Sequence, residues 1–309
     1  MRRLCLFVLL CSALLGCSDN TSDLRIGSNR WLGYGPLYVA DDLRWLGPSG
    51  FRLVEYPNSS GVLRAFRNGM LDAAMLTLDE TLGLQANGHD LEILLITNIS
   101  AGADVVYAMP PLRDPEDLLD QRIGVEDSAL GAFFLARLLD QAKLRRDQVQ
   151  VVSLPIQEHR NAMLAGHLDA VITFASEGPA LLELGARRLL DSRDLPNEII
   201  DVLVVDRQRV SPQARRRLQS LWHESLARWR QSPDYIDDVL MRRLGLDEDS
   251  MRLTREGLLM GDLALNRQFF EGGQLVKSLH WTHDYQLKRD LLDTPLDYRR
   301  LLDCGVATC

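Results

Sequence analysis

Seven acidic residues, Asp79, Glu80, Asp104, Glu126, Asp127, Glu158 and Glu177, fall where predicted strands give way to helices. Arg30 and Arg160, with His159 beside the latter, are the only strong bases in the same segments. A buried anion needs a cationic or hydrogen-bonding partner, because an unpaired buried charge is costly. The balance therefore favours an amine-bearing or cationic ligand, an aminopyrimidine-like ring among the candidates, over a simple anion. Other readings stay open. Acids at helix N-termini also serve as caps and dipole partners, and backbone N–H groups there can hold an anion without Arg or Lys. Asp104 and Glu177 are the stronger candidates for direct contact, with Glu126 beside them. Ser59, Ser60, Thr77, Ser128 and Thr173 supply hydroxyls at helix starts and strand ends, as ligand contacts or as caps. Trp31, Tyr34 and Phe174 are candidates for an apolar wall against a ring or alkyl group, or for packing of loop on lobe.

Catalytic signatures are missing. Gly33 and Gly35 are too few for a phosphate loop and lack a following Lys-Ser/Thr. No Gly-x-Ser-x-Gly elbow occurs. The six His are scattered, and no pair has His-x-x-x-His spacing; His280 and His283 read as surface or core residues. No catalytic residue, metal or cofactor is expected.

The elements that must position these residues come in a repeat. Arg25-Ile26-Gly27 returns 97 positions later as Arg122-Ile123-Gly124, and Gly69-Met70-Leu71-Asp72-Ala73 returns as Gly166-His167-Leu168-Asp169-Ala170. Leu53 to Tyr56 has its counterpart at Gln150 to Ser153, and Thr77 is answered by the shifted Thr173. Each half reads as a βαβαβ unit. Two such lobes make a cleft lined by loops at the carboxyl ends of their strands. The first lobe is expected over residues 24–104 and 205–309, the second over 105–204, with a hinge near Ala103–Ala108 and Asp201–Val205. Helices are expected over Ala214–Trp229, Tyr235–Leu244, Asp249–Glu271 and His283–Leu292, forming a tail on the first lobe. The fold class is α/β, a type II two-lobed binding-protein fold.

With 309 residues, 46% hydrophobic and 25% charged, the chain has the composition of an ordinary folded protein of two lobes. Its net charge of −8 and lack of a basic patch argue against nucleic acid. Arg2 and Arg3 followed by apolar Leu4–Leu15 form a signal segment, residues 1–16, to be left out of fold reasoning. Leu14-Leu15-Gly16-Cys17 resembles a bacterial lipobox, which implies cleavage before Cys17 and its acylation. Residues 17–23 then form a tether, and Ser18 favours the outer over the inner membrane. The alternative is an ordinary signal peptide. Cys304 and Cys309 are expected to pair as a disulfide outside the cytoplasm.

Ile26 to Ala40, with Trp31-Leu32-Gly33-Tyr34-Gly35-Pro36 at its centre, resembles the opening of the nitrate/sulfonate/taurine solute-binding proteins of ABC importers, a family that includes pyrimidine-precursor binders. Asn68–Ala74, Ser100–Asp104, Gly166–Thr173, Asp201–Val205 and Asn266 with Phe269-Phe270 continue the resemblance over about residues 24–300. It implies a periplasmic monomer that closes on a small molecule in the cleft and delivers it to a permease and its ATPase. A sensor handing occupancy to a membrane signalling protein is the alternative, and a pyrimidine-precursor enzyme a more distant one. Phe174-Ala175-Ser176-Glu177-Gly178-Pro179 departs from the Trp-Glu-Pro step of many relatives, so the ligand is not carried over from them. Six loops are expected to converge on it: 29–35, 57–61 and 77–80 from the first lobe, 126–131, 155–160 and 173–178 from the second.

Overall fold

The computed structural model describes residues 23–302. The expected signal segment, Cys17 and the expected Cys304–Cys309 disulfide lie outside the described residues. Among those described, no helix is long and apolar enough to cross a membrane.

The repeat read from the sequence is a repeated piece of architecture. In the first half, β1 (Leu24–Asn29) lies between parallel neighbours β2 (Phe51–Tyr56) and β3 (Ala73–Thr77). In the second half, β6 (Arg122–Val125) lies between β7 (Gln150–Ser153) and β8 (Ala170–Phe174) in the same register. The connecting helices are α1 (Gly35–Asp42) and α2 (Ser59–Arg67) in one half, and α4 (Ala129–Ala142) and α5 (Ile156–Leu164) in the other. One six-stranded sheet has the order β11-β4-β10-β3-β1-β2, and one five-stranded sheet has the order β7-β6-β8-β5-β9. β4 (Leu91–Ser100), β10 (Ile200–Asp206) and β11 (Leu258–Met260) complete the first. β5 (Asp104–Ala108) and β9 (Arg187–Asp191) complete the second.

The physical reason for the repeated residues is now plain. Asp72 accepts from the Arg25 backbone N–H at 2.9 Å and from its guanidinium at 2.9 and 3.0 Å. Asp169 does the same for Arg122 at 2.9, 2.9 and 2.7 Å. Each bidentate pair ties the first strand of a unit to the turn that enters its third strand, a geometry suited to Arg and carboxylate. Gly27 and Gly124 make room for the leucine of that turn. A Cβ on Gly27 would lie 2.4 Å from Leu71 Cδ1, and one on Gly124 2.6 Å from Leu168 Cδ1. Gly69 and Gly166 end the preceding helices at φ +67 and +68, the left-handed conformation glycine adopts without penalty.

Three expectations need correction. Asp104 begins β5 of the second sheet, and Ile200–Asp206 pairs with β3 and β4 of the first. The chain therefore crosses at 101–103 and returns over 192–199, earlier than the expected return near 204. Ser192 Oγ ties the crossings together, at 2.7 Å from Ser100 Oγ and 2.6 Å from the Gly102 N–H.

The expected helix Asp249–Glu271 is three elements: α9 (Glu248–Glu256), strand β11, and α10 (Leu263–Glu271). Gly257 and Gly261 break it, because the backbone here runs against β4 and the crossing segment that follows it. A Cβ on Gly261 would lie 1.8 Å from Ile96 O, and one on Gly257 2.5 Å from Ala103 N. Asn266 on α10 then closes the sheet edge, accepting from Ile96 N–H at 2.7 Å and donating to Ile96 O at 3.0 Å.

The expected helix His283–Leu292 lies within a longer one beginning at Gln274. The helices α7 (Pro212–Gln231) and α8 (Pro233–Leu244) pack on the first lobe as expected. The last helix, α11 (Gln274–Lys288), also reaches the second lobe: Tyr285 packs edge-on to Phe133 at 5.5 Å and its hydroxyl donates to Asp140 at 2.8 Å.

The two Arg–Asp pairs differ in exposure, since the Asp72 side chain is 9% exposed and that of Asp169 26%. Removing a carboxylate from a buried pair strands its partner, whereas an exposed partner recovers water. Asp72→Ala should lower stability in urea unfolding by about 2–3 kcal/mol, and Asp169→Ala should cost visibly less.

Candidate functional site

The carboxyl ends of the parallel strands in both lobes face one another across a single cavity. Its empty space, counted with the open mouth, is about 630 Å³. Every one of the six expected loops contributes. Asn29, Trp31 and Tyr34 come from the turn after β1, Ser59 from the start of α2, and Thr77 and Glu80 from the start of α3 (Leu78–Ala86). Glu126, Ser128, Leu130 and Gly131 come from the start of α4, Ile156 from the start of α5, and Thr173 and Phe174 from the end of β8. The crossing segments add Asp104, Ile199 and Asp201, and Phe134 and Ile172 complete an apolar patch on the second lobe.

Helix starts reach this cavity because the strands are short and the loops capped. Asn58 Oδ1 accepts from Gly61 N–H and Ser128 Oγ from Gly131 N–H, each at 3.0 Å. Glu80 Oε2 accepts from Thr77 N–H at 3.1 Å. The first two are side-chain N-caps and the third is the returning half of a capping box.

Four of the lining residues are carboxylates, and no Lys, Arg or His is among them. Burial pushes Asp104 up to about 6, against the opposing effect of Ser100. Burial also raises Asp201 well above the ordinary carboxylate range, reinforced by the charge of Asp104 and more weakly by Glu80. Burial, then the charge of Glu80, raises Glu126. Burial raises Glu80 too, while Ser59 and Thr77 favour its charged form. Behind the wall, burial and the Glu80 charge push Asp79 up to about 7.

Asp201 is the residue the sequence reading placed only in a crossing strand. It organises the aromatic end of the cavity. Trp31 Nε1 donates to it at 2.8 Å and the Tyr34 hydroxyl at 3.3 Å. The Trp31 ring lies 4.7 Å from that of Phe174, centroid to centroid, joining the two lobes. Gly33 leaves space for this arrangement, since a Cβ there would lie 2.2 Å from Asn98 Nδ2 and 2.6 Å from Trp31 Nε1. A lone acid within the apolar run Ile199–Val205 was the available signal, because a charge in a buried strand is costly unless something uses it. Asn29 carried no such signal.

Of the sequence candidates, Trp31, Tyr34, Ser59, Thr77, Asp104, Glu126, Ser128 and Thr173 line the cavity. Ser60 and Glu177 do not. Ser60 donates its hydroxyl to the Asp127 carbonyl at 2.8 Å, a bond across the mouth from one lobe to the other. Glu177 ends a short turn, Ala175–Glu177, packed against α9, where Ser250 Oγ donates to Ser176 O at 2.7 Å. The insertion-like shift after Phe174 turns it away from the cavity. Arg30 is also turned away, donating to Arg243 O at 3.2 Å.

A two-lobed solute-binding fold, closed over a cavity rich in carboxylates, is the class these features define. The chain belongs to the NMT1-like family, which matches residues 18–239. In structure it is similar to the alkanesulfonate-binding protein SsuA from Xanthomonas axonopodis pv. citri, solved bound to MOPS, with a TM-score of 0.74 and 20% identity over 88% of this chain and 94% of that one. The periplasmic aliphatic sulphonate-binding protein SsuA from Escherichia coli gives 0.73 and 20%, over 91% and 92%. The desulfurization enzyme DszB, solved with biphenyl-2-sulfinic acid, gives 0.67 and 18%, over 92% and 97%. At such identities the likeness is one of fold. No curated protein sequence matches. The sequence resemblance to the nitrate/sulfonate/taurine type is borne out by the family and the fold together.

A buried carboxylate with a raised folded-state pKa opposes folding once it must ionise. For Asp104 this cost is absent below about pH 4, grows between the unfolded value near 4 and the folded value, and is complete above about 6. Asp104→Asn should therefore stabilise the unliganded protein by about 3 kcal/mol at pH 8 and by about half as much at pH 5. Thermal melts at the two pH values measure the difference.

Proposed function

We propose that the protein is the solute-binding component of an ABC importer and that its cleft takes an amine-bearing or other cationic ligand, an aminopyrimidine-like ring included. The observation that carries this reading is the charge of the wall: Glu80, Asp104, Glu126 and Asp201 with no basic side chain among the lining residues. Two of these acids belong to each lobe. Closing the cleft brings like charges together, and a cation between them offsets both the repulsion and the desolvation. Ligand would then favour the closed form through its greater affinity for it. The apolar patch of Leu130, Phe134, Ile156 and Ile172 suits the hydrocarbon part of such a ligand.

The fold alone does not separate binding from catalysis, since DszB shares it. Two features support binding. Ser128 is engaged as a helix cap, and no His stands among the lining residues to activate a hydroxyl. The lipobox-like segment ending at Cys17 supports anchoring at the periplasmic face of a membrane, where the protein would hand its ligand to a permease and ATPase.

A thermal-shift screen with amines, aminopyrimidines, sulfonates including MOPS, nitrate and carboxylates tests the ligand class. A ligand specific to the folded state at about 100 times its Kd adds about 2.7 kcal/mol, and the expected hits are amines or aminopyrimidines. Hits confined to sulfonates or nitrate would overturn the cationic reading and leave the fold assignment intact. Because a cation holds the lining acids ionised, its binding should release protons and strengthen as pH rises through about 6, the value of Asp104. Titration calorimetry in buffers of different ionisation enthalpy reads that proton release directly.

A further inference from the structure

The four cavity acids form a row, not a knot. Asp104 pairs in register with Phe174 on β8, and Phe174 meets Trp31. Trp31 in turn donates to Asp201 at 2.8 Å. Asp201 lies opposite Thr77 on β3, whose backbone N–H reaches Glu80 at 3.1 Å. Glu126 stands at the mouth, next to the Asp127 carbonyl that takes the Ser60 hydroxyl. The electrostatics follow the same order: Asp201 feels Asp104 and Glu80, and Glu126 feels Glu80. Among the described residues, no three His, Cys, Asp or Glu side chains gather closely enough to hold a metal ion.

A second, independent feature points to a missing polar group. Thr173 is 2% exposed and lines the cavity, yet its Oγ1 has no hydrogen-bond partner among the described residues. A buried hydroxyl without a partner is costly, and an ammonium group would supply the donor it lacks. Leu130, Phe134 and Ile172 beside the row offer nothing polar to the rest of a ligand.

We propose that the acid row selects a flexible dication, an α,ω-diamine or longer polyamine, with one ammonium at the Asp104–Asp201 end and the other at the Glu80–Glu126 end. This rests on the reading that the cavity takes a cation. A single charged group would leave one end of the row uncompensated when the lobes close. Two charges joined by an alkane chain would answer both ends and place methylenes against the apolar patch.

The test is calorimetry on the full chain at pH 7.5, with a ladder of diaminoalkanes from diaminopropane to diaminooctane, each against the n-alkylamine of the same length. The best diamine should bind about tenfold or more tighter than its matched monoamine. Glu126→Gln should weaken the best diamine by about tenfold and its matched monoamine by less, so that the ratio between them falls toward one, with the unliganded melt confirming that the variant folds. The wild-type comparison stands without the variant. Monoamines binding as tightly as diamines would overturn the dication and keep the cationic cleft. Sulfonates binding while no amine does would overturn both.

Discussion

Carboxylates from two lobes share one water-poor cavity, and no basic side chain lines it to balance them. In such a place charges repel strongly and are poorly hydrated. Burial makes Asp104, Asp201, Glu80 and Glu126 each resist ionisation, and the charges of neighbouring acids add to this at Asp201 and Glu126. A protein gains nothing in stability from this arrangement. It is the signature of a site held ready at a cost to stability. The rest of the molecule can be understood as what holds these groups in place.

The repeated Arg–Asp pairs perform the first part of that task. By locking β1 to the entrance of β3, and β6 to the entrance of β8, they fix where each strand ends and where each loop begins. The caps at Asn58, Thr77 and Ser128 then set the helix starts that carry Ser59, Glu80 and Gly131 to the wall. Gln219, Trp222 and Asn266 brace β4 and its edge from the helical tail.

Contacts between the lobes lie on every side of the cleft. Ser60 bonds Asp127 at the mouth, Trp31 meets Phe174 within, and Ser250 bonds Ser176 on one flank. On the other flank, α11 bridges the lobes: Gln286 donates to the Asp79 carbonyl at 3.3 Å, while Tyr285 and Arg289 engage Asp140. Trp281 stacks on Tyr285 at 5.2 Å, and the Arg137 guanidinium lies over both rings. Most of these contacts are polar or at the surface, and surface bonds contribute modestly.

The sequence by itself determined the two-lobed α/β plan. An Arg-x-Gly and a Gly-x-Leu-Asp-Ala recur at one offset because each serves a local geometry: a bidentate pair, a close leucine, a left-handed turn. Such geometry involves residues near one another in the chain or in one supersecondary unit, so it leaves a readable pattern. The loops that converge on the cleft were legible for the same reason, as the ends of strands followed by capping residues. Tertiary structure alone decided what those loops do together. Glu177 sits in a pocket loop by sequence and leaves the cavity because the chain turns onto α9. Asp201 sits in a crossing strand by sequence and enters the cavity because β10 pairs with β3. The break of the tail at Gly257 and Gly261 likewise depends on how closely the crossing segment and β4 pass. Contacts of this kind join residues far apart in the chain, and no periodicity or spacing records them.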